Sequence, residues 1–256
     1  MQLMRLMIVT ISLATGALAD DLRMLVLDPL AAKNACACVE GYGQRDYDAL
    51  AACLGEALKT TVTPQFSAVV AGKPAIIIGK QTEIEHAAKT SGLKLTHLAM
   101  LTDKTGATTC HGLFVVRAAD KAKSIADLKG RKILFGPEGA DEKHSAALAA
   151  LGQTGGCETR DTCNQVAAEV AESRADAGVV SGFMLPLVIG CGTIGKDELR
   201  VVGRTAGVPF IALYVTEHFP DGTKPELQKA LDKLAADKDL LKKMESAKGF
   251  VGVKKK

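Results

Sequence analysis

The stretch SIADLKGRKILFGPEGADEKHSAALAAL, residues 124–151, sets out a short helix, a strand, a tight turn and a second helix in succession. Ser124 is a favourable N-cap for the first helix, and Gly130 is suited to end it. The apolar run at 132–136 predicts a buried strand, and the spacing of apolar residues predicts a helix over 140–155. The turn between them is therefore expected at a helix start, where backbone N–H groups commonly hold anions.

The same alternation of apolar runs and amphipathic segments extends along the chain. Further strands are predicted at 22–28, 60–66, 74–80, 93–101, 110–118, 177–182, 199–203 and 208–215. Further helices are predicted at 45–59, 67–73, 82–92 with Thr82 as its cap, 165–176, 183–190 and, as a pair, 224–246. Repeated strand–helix–strand units with apolar strands predict an α/β fold with largely parallel sheets.

The N-terminus has the pattern of an export signal. Arg5 precedes the apolar run LMIVTISLATGALA, which ends in the small residues Ala17 and Ala19. This pattern predicts a secretory signal peptide at 1–19 and export to the periplasm. The alternatives are an uncleaved anchor and a buried first helix. The run is short for a membrane span, and no second apolar stretch approaches the required length, so the mature chain is expected to be soluble.

Composition argues against a nucleic-acid partner. The formal net charge is only +3, there is no Trp, and three Tyr and seven Phe are the other aromatic residues. A groove for single-stranded nucleic acid combines basic side chains with aromatic stacking platforms, and this chain is poor in both. The basic tail GVKKK is expected to be a solvated end.

The seven cysteines suggest disulfide bonds in an exported protein, and their odd number leaves at least one thiol over. Cys157 and Cys163 are the most natural local pair. Cys53, on a predicted helix, could reach back to Cys36 or Cys38. The spacing does not fix the connectivity.

The order of FVVR, SIADLKG and KILFGP resembles that of the type 2 periplasmic solute-binding proteins, and more narrowly the PhnD-like phosphate-, phosphite- and phosphonate-binding subunits of ABC transporters. SAVVAGKPAIIIGK, VAESRADAGVVSG and LRVVGRTAGVPFIALYV follow in the order of that family. The resemblance implies two α/β lobes joined by two crossing strands, with the ligand in the cleft between them. Lobe one would comprise 20–112 and 207–256, and lobe two 113–206.

The resemblance further implies a monomeric, cofactor-free solute-binding protein that closes around a small ligand and delivers it to an ABC transporter permease or a sensor. No nucleophile elbow, phosphate loop or H-E-x-x-H pair indicates an enzyme. The predicted ligand contacts follow the first strand, the strand at 132–136 and the strand at 177–182. They are Asp28, Gly136, Glu138, Gly139, Ala140, Asp141, Glu142, Ser181 and Phe183.

The turn departs from the family pattern because acids stand where the relatives carry small hydroxyl residues. Acidic side chains in a first helical turn can simply cap the helix and complement its dipole. If the ligand is an oxyanion, the backbone N–H groups of 139–142 would donate to it and the acids would turn away. If the ligand is cationic, Glu138, Asp141 and Glu142 would contact it directly.

The alternative function is a periplasmic accessory protein of the same fold that binds a metal ion or docks on a redox enzyme. Cysteine and histidine together suit Cu(I) or Zn²⁺. The candidate ligands are Cys36, Cys38, His111, His144 and Cys163. Their spacing includes neither a C-x₂-C nor an H-x₃-H pair.

Overall fold

A computed structural model describes residues 21–34, 44–153, 155 and 157–253. The predicted signal peptide at 1–19, together with Cys36 and Cys38, lies outside these ranges. No helix in the described ranges has the length and hydropathy needed to cross a membrane.

The described residues form thirteen strands and seven α-helices. The strands are β1 Leu22–Leu27, β2 Val62–Phe66, β3 Ile76–Lys80, β4 Leu95–Leu101, β5 Thr109–Cys110, β6 Gly112–Arg117, β7 Ile133–Phe135, β8 Glu158–Thr159, β9 Ala177–Ser181, β10 Leu199–Arg204, β11 Val208–Pro209, β12 Ile211–Thr216 and β13 Phe250–Gly252. The helices are α1 Tyr47–Leu58, α2 Gln81–Ser91, α3 Ser145–Leu151, α4 Cys163–Ala171, α5 Met184–Gly190, α6 Lys224–Leu234 and α7 Lys238–Lys243.

Two mixed sheets organise the described chain, so the expectation of largely parallel sheets is wrong. The first has the order β13-β4-β12-β3-β1-β2 and the second β10-β6-β9-β7-β8. Among the strands of the described residues, the parallel pairs are β1–β2, β1–β3, β7–β8 and β7–β9, and the other pairs are antiparallel. Parallel neighbours need a helical crossover, whereas β12 enters the first sheet from the other lobe and runs antiparallel to β3 and β4.

Each sheet carries its own hydrophobic core, which confirms the two-lobed α/β fold. One face of the first sheet packs with α1 and α6 around residues such as Leu50, Ile78 and Leu231. The second sheet is covered on both faces, with Phe114 and Val166 in separate clusters. The predicted lobe boundaries stay a prediction.

Two short segments connect the lobes, and they pair with each other. β5 leads from β4 into β6, β11 leads from β10 into β12, and the two form an antiparallel two-stranded sheet. The strands predicted at 110–118 and 208–215 are therefore each interrupted, at His111 and at Phe210. Short paired crossings of this kind suit a hinge between lobes.

Several helix predictions are corrected at their ends. α2 starts at Gln81, so Thr82 lies inside the helix and does not cap it, while Gly92 ends it in the left-handed conformation as expected. No helix forms at 67–73, and the segment after Ser124 is a 3-10 turn. α4 begins earlier than predicted, at Cys163, because Thr162 and Gln165 form a capping box. The Thr162 side chain accepts a hydrogen bond from the backbone N–H of Gln165, and the Gln165 side chain accepts one from the backbone N–H of Thr162.

The helix predicted over 140–155 is broken after its first turn. Asp141–Lys143 form a 3-10 turn, and α3 starts only at Ser145. The break lies at His144, whose ring Nδ1 is 2.8 Å from the carbonyl oxygen of Gly136. Asp141 and Glu142 therefore do not cap α3.

Candidate ligand cleft

A cavity of about 460 Å³ lies between the two lobes. Residues after β1, β2 and β3 line one side, and residues from α4, α5 and the end of β9 line the other. The lining residues are Leu27, Pro29, Asn34, Ser67, Ala68, Lys80, Glu83, Lys143, Asp161, Thr162, Cys163, Asn164, Ser181, Phe183, Met184, Leu187 and Cys191. Apolar walls with a few charged and hydroxyl groups are typical of small-ligand sites.

Lys80 is the lobe-one cation of this cleft. It ends β3, the strand predicted from PAIIIGK, and its side chain is buried. Its Nζ lies 2.5 Å from Glu83 Oε1 and 2.6 Å from Glu142 Oε1. Burial alone would lower the pKa of Lys80, but these two carboxylates outweigh it and raise the pKa. Lys80 is therefore a fixed, charged group.

Glu142 reaches Lys80 from the other lobe and is completely buried. Its Oε1 also accepts a hydrogen bond of 2.6 Å from the Ser181 hydroxyl, while its Oε2 has no hydrogen-bond partner among the described residues. Burial alone would raise the pKa of Glu142, but Lys80, the Ser181 hydroxyl and Lys143 lower it overall. The carboxylate is thus an internal anion held between the lobes.

The backbone at Glu142 lies against β6. A Cβ at Gly112 would overlap the carbonyl oxygen of Glu142, so only glycine permits this approach. The 3-10 turn that contains Glu142 therefore packs directly against the second sheet.

Lys143 is a second buried cation, 8% exposed, and it lines the cavity. The one hydrogen-bond contact of its ammonium in the described chain is a long one, from Nζ to Cys163 Sγ at 3.9 Å. It forms no ion pair with any described residue. Its aliphatic stem lies against Gly136, where a Cβ would overlap it. A buried ammonium without a counter-ion is costly, so this position favours an anionic ligand.

Cys163 opens α4 and faces the cleft, and the predicted Cys157–Cys163 disulfide is wrong. Both are free thiols: Cys163 packs with the core of one sheet face, while Cys157 packs on the opposite face. Cys163 Sγ instead lies 3.4 Å from the backbone nitrogen of Ser181. The possible pairing of Cys53 with Cys36 or Cys38 falls outside the described ranges.

Asp28 directly follows β1 and is not among the residues that line the cavity. Its Oδ2 accepts hydrogen bonds from Arg45 at 2.7 Å and Tyr47 at 2.6 Å, and its Oδ1 accepts one from Leu30 N. Burial and the Asp28 carboxylate raise the pKa of Tyr47, although Arg45 opposes them. The carboxylate is therefore occupied within lobe one.

The other predicted contacts divide into two groups. Ser181 and Phe183 line the cavity, and Phe183 stacks on Phe210 with ring centroids 5.3 Å apart. The six predicted contacts of the turn do not line it. Glu138 is exposed and Asp141 is half-buried, whereas Ala140 and Glu142 are buried, Glu142 behind Lys80. Gly136 packs on Lys143, and Gly139 packs on His86 of lobe one.

The predicted metal ligands do not assemble within the described chain. His111 Nδ1 is hydrogen-bonded to the carbonyl oxygen of Thr205 at 3.0 Å, and His144 Nδ1 is hydrogen-bonded to the carbonyl oxygen of Gly136. No cluster of three or more metal-ligating side chains occurs among residues 21–34, 44–153 and 157–253. Cys36 and Cys38 lie outside these ranges.

Neither Lys80 nor Lys143 is among the ligand contacts predicted from the sequence. Lys80 carried a signal, since a charged residue directly follows the apolar run PAIIIG at the carboxyl end of a predicted buried strand, where α/β proteins bind ligands. Lys143 directly follows Asp141 and Glu142, two of the predicted ligand contacts of the turn. Nothing in its local sequence indicates that it is buried.

Comparison with known proteins agrees with the two-lobed fold. The family model for the periplasmic substrate-binding protein of phosphonate ABC transporters matches residues 43–256. No curated protein sequence matches the chain significantly.

Three solved structures share the fold at low identity. XAC2383 from Xanthomonas citri bound to ATP is 16% identical over 92% of each chain, with a TM-score of 0.66. PhnD1 from Prochlorococcus marinus in complex with methylphosphonate is 13% identical over 91% of this chain and 92% of its own, with a TM-score of 0.62. A binding protein component of an ABC phosphonate transporter from Pseudomonas aeruginosa is 13% identical over 91% and 81%, with a TM-score of 0.63. Fold, cleft and family model together show that the chain belongs to the periplasmic substrate-binding proteins of phosphonate ABC transporters.

Proposed function

We propose that this protein captures a small anionic solute in the cleft between its lobes and delivers it to an ABC transporter permease. The observation that carries the proposal is the position of Lys143. It is buried, it lines a cavity of about 460 Å³, and it has no ion-pair partner in the described chain. An anion bound against its Nζ would give this ammonium the direct ion-pair partner that it lacks among the described residues.

The surroundings of Lys143 suit a solute with a small polar head and an apolar part. Thr162 and Asn164 bring a hydroxyl and an amide group to the same side of the cavity. Leu27 and Phe183 supply apolar surface. Charge-assisted hydrogen bonds from the ammonium would fix the head, and the apolar wall would set the size of the remainder.

The family supports a phosphonate-like anion as the ligand class. One relative of the same fold is bound to methylphosphonate and another to ATP, and both of these ligands are anions. The lobe boundaries predicted above would allow hinge closure about β5 and β11 once the solute is bound. In this proposal the protein acts outside the cytoplasm as a monomer, catalyses no reaction and needs no cofactor.

The accessory-protein alternative has less support. Of its candidate metal ligands, Cys36 and Cys38 lie outside the described residues, and both His111 and His144 have Nδ1 within hydrogen-bond distance of a backbone carbonyl oxygen. Their remaining nitrogens are not grouped with other ligating side chains of the described chain.

Native mass spectrometry of mature protein purified from its own periplasm, without tags or chelators, tests this proposal. A small organic or inorganic anion is expected as the adduct, displaceable by dialysis against excess methylphosphonate. A free-thiol count on the same sample would accompany it. A cationic solute would contradict the proposal, and a metal adduct would contradict it and favour the alternative.

A further inference from the structure

We propose that the cleft selects singly charged anions over doubly charged ones, and that Glu142 sets this preference. The inference rests on the proposed function, since it concerns the charge of the anion bound at Lys143. Chemically, the preferred head group would be a sulfonate, a phosphonate monoester or a singly protonated phosphonate.

Lys80 cannot serve as a second cation for the ligand. Its ammonium already contacts two carboxylates, Glu83 and Glu142, at 2.5 and 2.6 Å. Two negative charges at hydrogen-bond distance more than neutralise one positive charge. Although Lys80 lines the cavity, its charge is therefore already compensated by the protein itself.

Glu142 already accepts hydrogen bonds from the donors that a second negative charge of the ligand would otherwise use. Its Oε1 accepts one hydrogen bond from the Ser181 hydroxyl and one from the Lys80 ammonium, and both donor residues line the cavity. The close packing of its backbone on Gly112 keeps the carboxylate from withdrawing. The protein thus supplies one of the anions of the cleft.

Of the two lysines at the cavity, Lys143 is the one that forms no ion pair with a described residue. Among the described residues, Lys80 and Lys143 are the cationic side chains that line the cavity, while Glu83 and Asp161 add negative charge. A monoanion would compensate Lys143. A dianion would place its second charge near Glu142 with no further cation available, and like charges at such distances in a partly buried site repel strongly.

Titration calorimetry with two ligands of similar tetrahedral shape tests the inference. At about pH 9, methylphosphonate is largely a dianion, whereas methanesulfonate is a monoanion. Wild-type protein is expected to bind methanesulfonate at least about tenfold more tightly than methylphosphonate. In Glu142→Gln, which keeps the shape and loses the charge, this ratio should fall at least about tenfold. Because the ratio is measured within one variant, a general loss of affinity does not affect it.

Glu83→Gln is the matched control, since it removes the other carboxylate from Lys80 but leaves the bond of Ser181 to Glu142 intact. It should change the ratio less than Glu142→Gln does. Wild-type preference for methylphosphonate, or an unchanged ratio in Glu142→Gln, would overturn the inference while leaving anion binding at Lys143 standing. Failure of both anions to bind wild-type protein would overturn the proposed function as well.

Discussion

Lys80 Nζ lies 2.6 Å from Glu142 Oε1. Lys80 ends β3 of the first sheet, whereas Glu142 lies 62 positions later in the chain, in the 3-10 turn that follows β7 of the second sheet. Both side chains are buried. The ion pair therefore joins the lobes inside the protein, beside the cavity. Its removal should affect both the stability of the fold and the charge that the cleft presents to a ligand.

Replacing Lys80 with Met should destabilise the protein by about 3–5 kcal/mol, because it leaves a fully buried carboxylate without its nearest cation. The double variant Lys80→Met with Glu142→Leu should recover much of this loss, since no buried charge remains unpaired. Urea denaturation gives both free energies of unfolding. A single variant as stable as wild type, or a double variant no better than the single one, would contradict this account of the pair.

The stabilising effect of Glu142 should depend on pH. Its pKa in the folded protein is lowered from the ordinary value of 4.5, so folding favours the ionised form. The resulting stability is present above about pH 4.5 and is lost as the pH falls through the lower folded pKa. The difference in unfolding free energy between wild type and Glu142→Gln should therefore shrink on acidification below about pH 4.5. A difference that grows on acidification would contradict the assignment.

Gly136 should be required for the position of Lys143. A Cβ there would overlap the aliphatic stem of Lys143, so Gly136→Ala should displace the ammonium and weaken anion binding at least about tenfold, at a cost in stability of about 1–3 kcal/mol. Gly222→Ala is the control, because a Cβ there meets no atom within 4 Å. Calorimetry and denaturation of both variants check this. Equal behaviour of the two would argue against the close contact.

A bound anion should protect Cys163 from alkylation. Its thiol lines the cavity beside Lys143, whereas Cys53 is on α1, away from the cavity. Methanesulfonate at ten times its dissociation constant should slow the reaction of Cys163 with iodoacetamide about tenfold and leave Cys53 unchanged. Peptide mapping by mass spectrometry measures both rates. Protection of neither thiol, or of both equally, would place the anion elsewhere.

Much of the fold could be predicted from local sequence. The apolar runs that became β1, β3, β7 and β9 lie within one or two residues of their predicted bounds, because buried strands leave a strong local signal. The strand pairing could not be predicted in this way. Whether β12 runs parallel or antiparallel to β3 depends on how the chain returns from the second lobe, which no local pattern records.

The candidate site was harder to predict than the fold. The acids of the turn at 136–142 predict ligand contacts, but Glu142 does not line the cavity and contacts Lys80 and Ser181, which do. The charge of the site depends on pairing across the lobes. Asp28 shows the same limit, since its carboxylate is occupied by Arg45 and Tyr47, residues that local sequence does not connect with it.

The most direct test of the central claim is calorimetric titration of methanesulfonate into wild-type protein, Lys143→Met and Lys229→Met at neutral pH. Lys229 is exposed on α6 and serves as the control for loss of one positive charge. We expect Lys229→Met to bind like wild type and Lys143→Met, once shown to be folded, to bind at least about thirtyfold more weakly. Equal affinity of Lys143→Met and wild type would contradict anion capture by Lys143 in the cleft.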